Sequence, residues 1–474
     1  MRLSELAGID SDSEVTGFAI DHRKVVAGSV FGAFKGAVFN GEDFIGQAVD
    51  RGAVAVVATP GVQAPVPLLS HAEPRRLFAE LASKFYGPYP ETVVAVTGTN
   101  GKTSTVEMTR QLWRMAGHRS ASIGTLGVTT SDDQVKTGLT TPDIVTFLNN
   151  MAGLKRMGIS HVAYEASSHG LDQHRAEGVP LKAAAFTNFS RDHLDYHPSM
   201  EAYFAAKMRL FDELLPEDGT AVIWTDDPKS LDVIERVRGR GINLLTVGRA
   251  GETLRLEEQT PTALGQKLVI RHGEGTYRLA LPLIGAYQAA NVLVAAGLAM
   301  ATGIGFETVF SGMQRLAPVR GRLERAVISR SGAPVYVDYA HTADALEAAI
   351  AALRPHVSNR LITVFGAGGD RDQGKRPEMG AVASRLSDIV IVTDDNPRGE
   401  DPAKIRGEVL AGAPRAIEIG ERRDAIAEAI RMSAEGDIIL LAGKGHETGQ
   451  IIGAGPNQKV LPFDDALVAR ECAA

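Results

Sequence analysis

The sequence predicts an α/β protein of three domains built on parallel, doubly wound sheets, and three observations carry that expectation. The 474 residues exceed one ordinary core, since domains run to roughly 100–200 residues each. From Thr92 onward, apolar runs of strand length alternate with helix-length amphipathic segments, the pattern of strands joined by crossover helices. After Pro318-Val319-Arg320-Gly321-Arg322 the alternation begins again, which marks a second sheet with its own core.

Residues 1–88 read as a small N-terminal α/β domain of short strands and turns, with a strand at Val54–Val57 and a Pro/Gly-rich boundary at Gly87-Pro88-Tyr89-Pro90. Residues 89–318 form the central domain. Strands are expected at Val93–Val96, Val162–Tyr164, Ala183–Phe186 and Ala221–Ile223, and a helix at Ser104–Met115. Leu268–Arg271 and Thr276–Leu279 flank His272-Gly273-Glu274-Gly275, a hairpin expected to decorate the sheet's edge. The most apolar stretch, Val292–Ala301, is too short to span a bilayer and reads as a buried helix. Residues 319–474 complete a Rossmann-like domain. Its strands fall at Val335–Val337, Leu361–Phe365, Ile389–Val392 and Ile438–Leu441, with helices at Ala343–Leu353 and Arg423–Ser433.

Apolar residues are 44% and charged residues 23% of the chain, values of a globular protein. The net charge of -7 comes without a basic block, so no nucleic-acid or anionic-membrane surface is expected, while a local cationic cleft for small anions stays possible. The single cysteine, Cys472, excludes an internal disulfide, a thiolate zinc cluster and a CxxC pair. With no apolar segment behind the first ten residues, a cytoplasmic protein without membrane insertion is expected.

The clearest chemical signal is Val94-Ala95-Val96-Thr97-Gly98-Thr99-Asn100-Gly101-Lys102-Thr103-Ser104, a buried strand running through a Gly-rich turn into a helix. Glycines let successive amides curve around a phosphate, the helix N-terminus adds positive potential, Lys102 supplies a point charge and Thr103 a hydroxyl for Mg²⁺. The generic GxxxxGK[ST] pattern fails, because its first glycine position holds Val96. The central domain is therefore a P-loop-type sheet with a tighter turn. Glu165 follows the strand Val162-Ala163-Tyr164 at its carboxyl end, where such sheets bind ligands and where a carboxylate can hold Mg²⁺ against ATP phosphates.

The loop Thr-Gly-Thr-Asn-Gly-Lys-Thr resembles that of the Mur ligases and the related folylpolyglutamate synthetases. The resemblance extends through Asp21-His22-Arg23, Thr140-Thr141-Pro142, Glu165 to Gly170, Asn188 to Asp195, Gly321-Arg322, Asp338-Tyr339-Ala340-His341 and Gly443-Lys444-Gly445-His446-Glu447. It implies a monomeric, ATP-dependent ligase with two Mg²⁺ ions, acting on a UDP-linked muramyl dipeptide through an acyl phosphate. Residues 98–104 (Gly98, Thr99, Asn100, Gly101, Lys102, Thr103, Ser104) with Asn291, Arg322, Asp338 and His341 match nucleotide contacts. Lys102, Glu165, His193 and Lys207 match the catalytic set, and Thr103, Glu165, His193 and a carbamylated Lys207 the metal set. Carbamylation needs a neutral amine and yields an anion able to face a cation. Read from the residues alone, Lys207 is an exposed helical lysine and His193 is as well explained by a structural hydrogen bond. ATP contacts on two domains imply closure on binding.

For the sugar nucleotide, Asp21, His22, Arg23, Thr140, Thr141, Ser167, Gln173 and Arg175 match family contacts. His22 replaces a usual serine, a departure at the uridine end, while Trp224 and Gln288 replace common asparagines off the implied reaction path. The strand Ile389–Val392 delivers Asp395-Asn396-Pro397-Arg398, which resembles the family's meso-diaminopimelate signature. A guanidinium binds a carboxylate through two parallel hydrogen bonds, geometry an ammonium cannot reproduce. Arg371, Gly443 and Glu447 match further acceptor contacts. The alternative for Arg398 is a surface ion pair, and for Gly443-Lys444-Gly445 a second phosphate loop, though no Ser or Thr follows it. A lysine-adding Mur ligase lacks the arginine, and a folylpolyglutamate synthetase lacks the separate N-terminal domain with Asp21-His22-Arg23. A GTPase switch needs Asn-Lys-x-Asp, yet no Asn-Lys pair occurs. An inactive nucleotide-dependent scaffold would be expected to have lost Lys102, Glu165 or His193.

Overall fold

The structure, a computed structural model, describes residues 1–36, 39–131, 133–135, 138–194, 196–262 and 264–474. Asp195, the last residue of the Asn188–Asp195 motif, lies outside the described residues. The chain forms two compact units, Met1–Arg255 with Ala290–Gly312, and Leu256–Ala289 with Met313–Ala474.

The first unit holds two sheets. The smaller is wholly parallel, with β1 (Gly17–Ala19), β2 (Ser29–Gly32), β3 (Ala53–Ala58) and β4 (Leu68–Ser70) in sequential order. The strand expected at Val54–Val57 is β3, but the reading of residues 1–88 as strands and turns missed the helix Pro74–Tyr86. Proline reads as a breaker, yet at the first helical position its missing N–H costs nothing. The helix buries Phe78, Ala79, Leu81 and Ala82, with Phe78 edge-on to Phe18 at 5.2 Å and to Phe34 at 5.3 Å.

The larger sheet carries β5 (Thr92–Thr97), β6 (Ser120–Gly124), β7 (Gly127–Thr129), β8 (Gln134–Val135), β9 (His161–Glu165), β10 (Ala183–Phe186), β11 (Thr220–Trp224) and β12 (Asn243–Gly248). Their order is β12-β11-β10-β5-β9-β6-β7-β8, parallel from β12 to β6 and antiparallel beyond. Val93–Val96 and Ala183–Phe186 are buried on both faces, which is why they read as unbroken apolar runs. The register pairs Val96 with Glu165 and with Ala185, so the carboxyl ends of β5, β9 and β10 lie side by side. Everything that follows those strands converges there. The helix Ala286–Ala301 buries Val292, Leu293, Val294, Leu298 and Ala299 as its composition predicts, and no described helix is long and apolar enough to cross a membrane.

After β13 (Leu254–Thr262), the second unit contains the expected hairpin, β14 (Gly265–His272) with β15 (Gly275–Leu281), turning through Gly273 and Glu274. Its main sheet comprises β16 (Glu324–Ile328), β17 (Pro334–Asp338), β18 (Leu361–Phe365), β19 (Ile389–Val392), β20 (Ile417–Glu418) and β21 (Ile438–Ala442) in the order β16-β17-β21-β18-β19-β20. Only the edge strand β16 is antiparallel. Helices Ala343–Leu353 and Arg422–Met432 fall where the apolar periodicity placed them. Ala442 pairs with both Asp338 and Phe365, and Phe365 with Val392, which aligns the four loops leaving β17, β21, β18 and β19. A small ribbon, β22 (Gly449–Ile452) with β23 (Lys459–Pro462), borders those loops through a bridge from Arg398 to Ile452.

Candidate active site

In the first unit the loop after β5 requires its glycines. Gly98 has φ +139° and Gly101 φ +85°, and a Cβ on either would overlap Thr187 Oγ1 or the Asn291 side-chain oxygen. The segment after β10 braces the loop: Thr99 N donates to the Asn188 carbonyl at 2.9 Å and Asn100 N to Asn188 Oδ1 at 2.8 Å. Thr187 Oγ1 donates to the Asn100 carbonyl at 2.6 Å. Thr103 and Ser104 are buried in the first turn of the helix Lys102–Met115.

Two lysines meet on one carbonyl of this loop. Lys102 Nζ donates to Gly98 O at 2.9 Å and Thr99 O at 2.8 Å, and Lys207 Nζ donates to the same Gly98 O at 2.8 Å. The sequence reading that Lys207 is helical holds, in Met200–Arg209, but it is 1% exposed, not a surface residue. Its ammonium position lies 4.4 Å over the Tyr203 ring. Burial, reinforced by the charge of Lys102, pushes its pKa well down, which favours the neutral amine.

Glu165 is 1% exposed at the end of β9. Its Oε1 accepts from Thr125 N at 2.7 Å and its Oε2 from Thr125 Oγ1 at 3.2 Å. The Thr125 hydroxyl lies 3.5 Å from Thr103 Oγ1 and 3.2 Å from Thr140 Oγ1, so it links the glycine loop, the buried carboxylate and Thr140. A Cβ on Gly124 would overlap Glu165 Oε1. Sequence reasoning missed Gly124 and Thr125; the two glycines at positions 124 and 127, which end β6 and begin β7, were the available signal. His193 has φ +53°, with its ring 4.8 Å from His169 and 5.9 Å from Tyr203 and its Nε2 3.5 Å from Asp192 Oδ2. Among the described residues no three His, Cys, Asp or Glu side chains converge on a metal position. Thr103 and Glu165 nevertheless offer hard oxygen donors of the kind Mg²⁺ takes together with waters and substrate phosphates.

The predicted donor contacts form a continuous polar chain. Thr141 Oγ1 lies 2.8 Å from the Glu165 carbonyl and 2.9 Å from Ser167 Oγ, and Ser167 caps the helix Ser168–Asp172. Arg175 Nη2 donates to Gln173 Oε1 at 2.6 Å and its Nη1 to the Thr141 carbonyl at 3.3 Å. On the small sheet, Asp21 takes a bidentate grip from Arg23, which lowers its pKa to about 2. His22, the residue that departs from the family's serine, stacks flat on Phe44 at 4.4 Å.

The second unit gathers its own set at the strand ends. Asp338 Oδ2 accepts from Leu323 N at 2.8 Å and Oδ1 from Ala340 N at 2.9 Å, and burial raises its pKa despite Arg322 nearby. The Arg322 guanidinium lies 4.9 Å over Tyr339, and His341 Nδ1 is 2.9 Å from the Tyr339 carbonyl. Asn396 Oδ1 accepts from Lys444 Nζ at 3.0 Å and Ile451 N at 2.9 Å, while its Nδ2 donates to Glu447 Oε2 at 2.9 Å. Lys444 is 0% exposed, so it buttresses Asn396 and cannot serve the surface of a phosphate loop. Gly443, at φ +112°, leaves room for Asp395. Arg398 has φ +50°, and its Nη1 donates to the Gly369 carbonyl at 2.9 Å. Arg371 is exposed, and its Nη1 donates to the carbonyl of Asp370 at 3.3 Å. The buried Arg376, which the sequence reading missed, grips Glu400 through both terminal nitrogens and Gly368 O at 3.1 Å, and Glu400 accepts from Asp370 N. That clamp ties the loop carrying Arg371 to the loop carrying Arg398.

A glycine-lined phosphate loop on a parallel sheet, with a buried carboxylate hydrogen-bonded beside it, defines a nucleotide-using α/β enzyme. Comparison with known proteins narrows the class. A Mur ligase middle domain matches residues 96–299 and a Mur ligase glutamate ligase domain residues 321–445. The UDP-N-acetylmuramoyl-L-alanyl-D-glutamate–2,6-diaminopimelate ligase of Zymomonas mobilis subsp. mobilis is 58% identical over 98% of this chain and 95% of its own. The enzyme of that name from Agrobacterium fabrum is 50% identical over 98% of this chain and 93% of its own. A solved structure of a ligase of that name superposes with a TM-score of 0.75 at 31% identity, covering 100% of this chain and 98% of its own. The chain belongs to the Mur ligase family, ATP-dependent ligases that form ADP.

Proposed function

We propose that this enzyme joins meso-2,6-diaminopimelate to UDP-N-acetylmuramoyl-L-alanyl-D-glutamate with consumption of ATP, a step of peptidoglycan precursor synthesis. The observation that carries the choice of amine is the Asp395-Asn396-Pro397-Arg398 turn. Arg398 anchors one terminal nitrogen on Gly369 O, and Asn396 is fixed by Lys444, Ile451 and Glu447. A guanidinium held in this way suits the distal carboxylate that distinguishes diaminopimelate from lysine, and Glu447 suits the distal ammonium.

The D-glutamate carboxylate takes the γ-phosphoryl group and becomes an acyl phosphate, and the diaminopimelate amine then displaces phosphate to form the amide. The loop amides and Lys102 neutralise the phosphates. Thr103 and Glu165 would hold one Mg²⁺, which supplies charge neutralisation when bound; His193 and carbamylated Lys207 would hold a second. The buried, neutral-leaning amine of Lys207 supports that modification. Nucleotide contacts at Asn291, Arg322, Asp338 and His341, three domains bounded near residues 88 and 318, a monomeric state and a cytoplasmic location complete the proposal.

The test is a product assay by mass with the UDP-linked dipeptide, ATP and a panel of amines. A product heavier by the diaminopimelate residue, with phosphate release dependent on both dipeptide nucleotide and amine, is expected. Equal turnover with L-lysine refutes the choice of acceptor.

A further inference from the structure

An open cleft of about 420 Å³ in the first unit has Arg75 on one wall and Arg175 on another. Arg75 is the second residue of the helix Pro74–Tyr86, so its side chain springs from the amide-rich end of that helix. It lies across the Phe34 ring at 4.8 Å, and its Nη2 donates to the Lys35 carbonyl at 3.1 Å. Arg175 spends its donors on two neutral acceptors, Gln173 Oε1 and the Thr141 carbonyl. Among the described residues neither guanidinium forms an ion pair.

The acids nearby are already occupied. Asp143 caps the helix Ile144–Arg156, with Oδ1 accepting from Val145 N and Thr146 N, both at 3.1 Å, and Oδ2 from Thr146 Oγ1 at 2.7 Å. Asp172 Oδ2 accepts from the Tyr196 hydroxyl at 2.6 Å. His174 is turned toward Glu177 and Arg209. The rest of the lining is apolar: Ile20, Phe34, Leu139 and Ile144. Burial depresses the pKa of both arginines, and the like charge of Arg175 adds to the effect at Arg75, as expected of two cations facing one space. Two half-buried guanidinium groups that make no ion pair among the described residues, and that feel Asp172 and Asp143 only from beyond ion-pair distance, form in this largely apolar cleft an incomplete electrostatic arrangement that an anion completes.

We infer that Arg75 and Arg175 together form an oxyanion subsite that holds a phosphate or carboxylate of the UDP-linked donor. Arg175 was legible as a donor contact by resemblance; Arg75 carried no sequence signal, because its neighbour Arg76 looks the same in the sequence. The structure separates them. Arg76 is exposed and pairs with Glu73, just before its helix, and with Glu80 on it, whereas Arg75 turns into the cleft. The inference rests on the proposed function for the identity of the donor.

Binding of UDP and of the full UDP-muramyl dipeptide to native protein, Arg75→Ala, Arg75→Lys and Arg76→Ala is measured by calorimetry, alongside steady-state KM values. Charge-assisted hydrogen bonds of this kind are expected to make Arg75→Ala weaken donor binding by about 10- to 100-fold, with Lys restoring part of it. The KM values for ATP and amine, and all constants of Arg76→Ala, are expected to stay within about twofold. A matching loss with UDP alone identifies the diphosphate as the anion, and a loss confined to the full donor identifies a carboxylate. Donor binding by Arg75→Ala within about twofold of native overturns the inference, as does an equal loss for ATP. Absence of turnover by the native protein with the UDP-linked dipeptide would instead refute the proposed function.

Discussion

Gly124→Ala tests whether the buried Glu165 carboxylate does chemistry or only packs. A Cβ at this position would lie 2.7 Å from Glu165 Cγ and Cδ and overlap Oε1, so the carboxylate must retreat by about an ångström to reach ordinary contact. It would then lose its paired grip on Thr125 N and Oγ1. Hydrogen bonds to a charged acceptor are worth about 1.5–3 kcal/mol each, and a misplacement near 1 Å costs a reacting centre on the order of 100-fold. We therefore expect kcat/KM to fall about 100-fold, close to 2.7 kcal/mol of transition-state stabilisation, with a raised Mg²⁺ requirement and a donor KM near native. Phosphate release at saturating dipeptide nucleotide, ATP and amine, with Mg²⁺ titrated, measures this. Gly46→Ala, where a Cβ meets nothing within 4 Å, controls for the substitution itself. A Gly124→Ala enzyme within about threefold of native, folded by circular dichroism, would refute a catalytic Glu165.

Further outcomes follow from other buried groups. Arg398→Lys keeps charge but loses the planar fork, and is expected to lower kcat/KM for meso-diaminopimelate by at least about 100-fold while leaving the weak L-lysine rate within about threefold, measured in the same amine panel. Arg422 and Asp465 form an ion pair with both side chains 0% exposed, and Arg422 also holds the Ala442 carbonyl that precedes Gly443. Arg422→Ala strands a buried carboxylate and is expected to cost about 3–5 kcal/mol in urea unfolding, part of which Asp465→Ala restores in the double variant. For Lys207 the folded pKa lies below its ordinary value of 10.5, so between the two the unfolded chain binds more protons and stability rises with pH. Unmodified protein should gain up to about 1.4 kcal/mol per pH unit in that window, a slope Lys207→Met removes. With bicarbonate present, intact mass should increase by one CO₂ in native protein only.

The sequence by itself determined the central strands buried on both faces, because they demand unbroken apolar runs such as Val93–Val96 and Ile389–Val392, and no solvated alternative offers those residues a place; strands without such a run, β6 and β7 among them, were not legible. It also determined the tight glycine turn after β5, since Gly98 and Gly101 stand at positive φ where a side chain would collide. The helix Pro74–Tyr86 was not legible, because its proline at the first position is indistinguishable in sequence from one that ends a helix. Tertiary structure alone decided which charges matter. Lys207 looked like any helical lysine until packing removed its water, and Arg75 and Arg76, adjacent and identical in sequence, were assigned opposite fates by the turn of a helix over a cleft. Gly124, Thr125, Arg376 and Lys444 belong to the same class, positions whose meaning lies in a partner 20 to 50 residues away. Spacing along the chain encodes local backbone geometry; electrostatic role depends on burial and counter-charge, which exist only once distant segments are packed together.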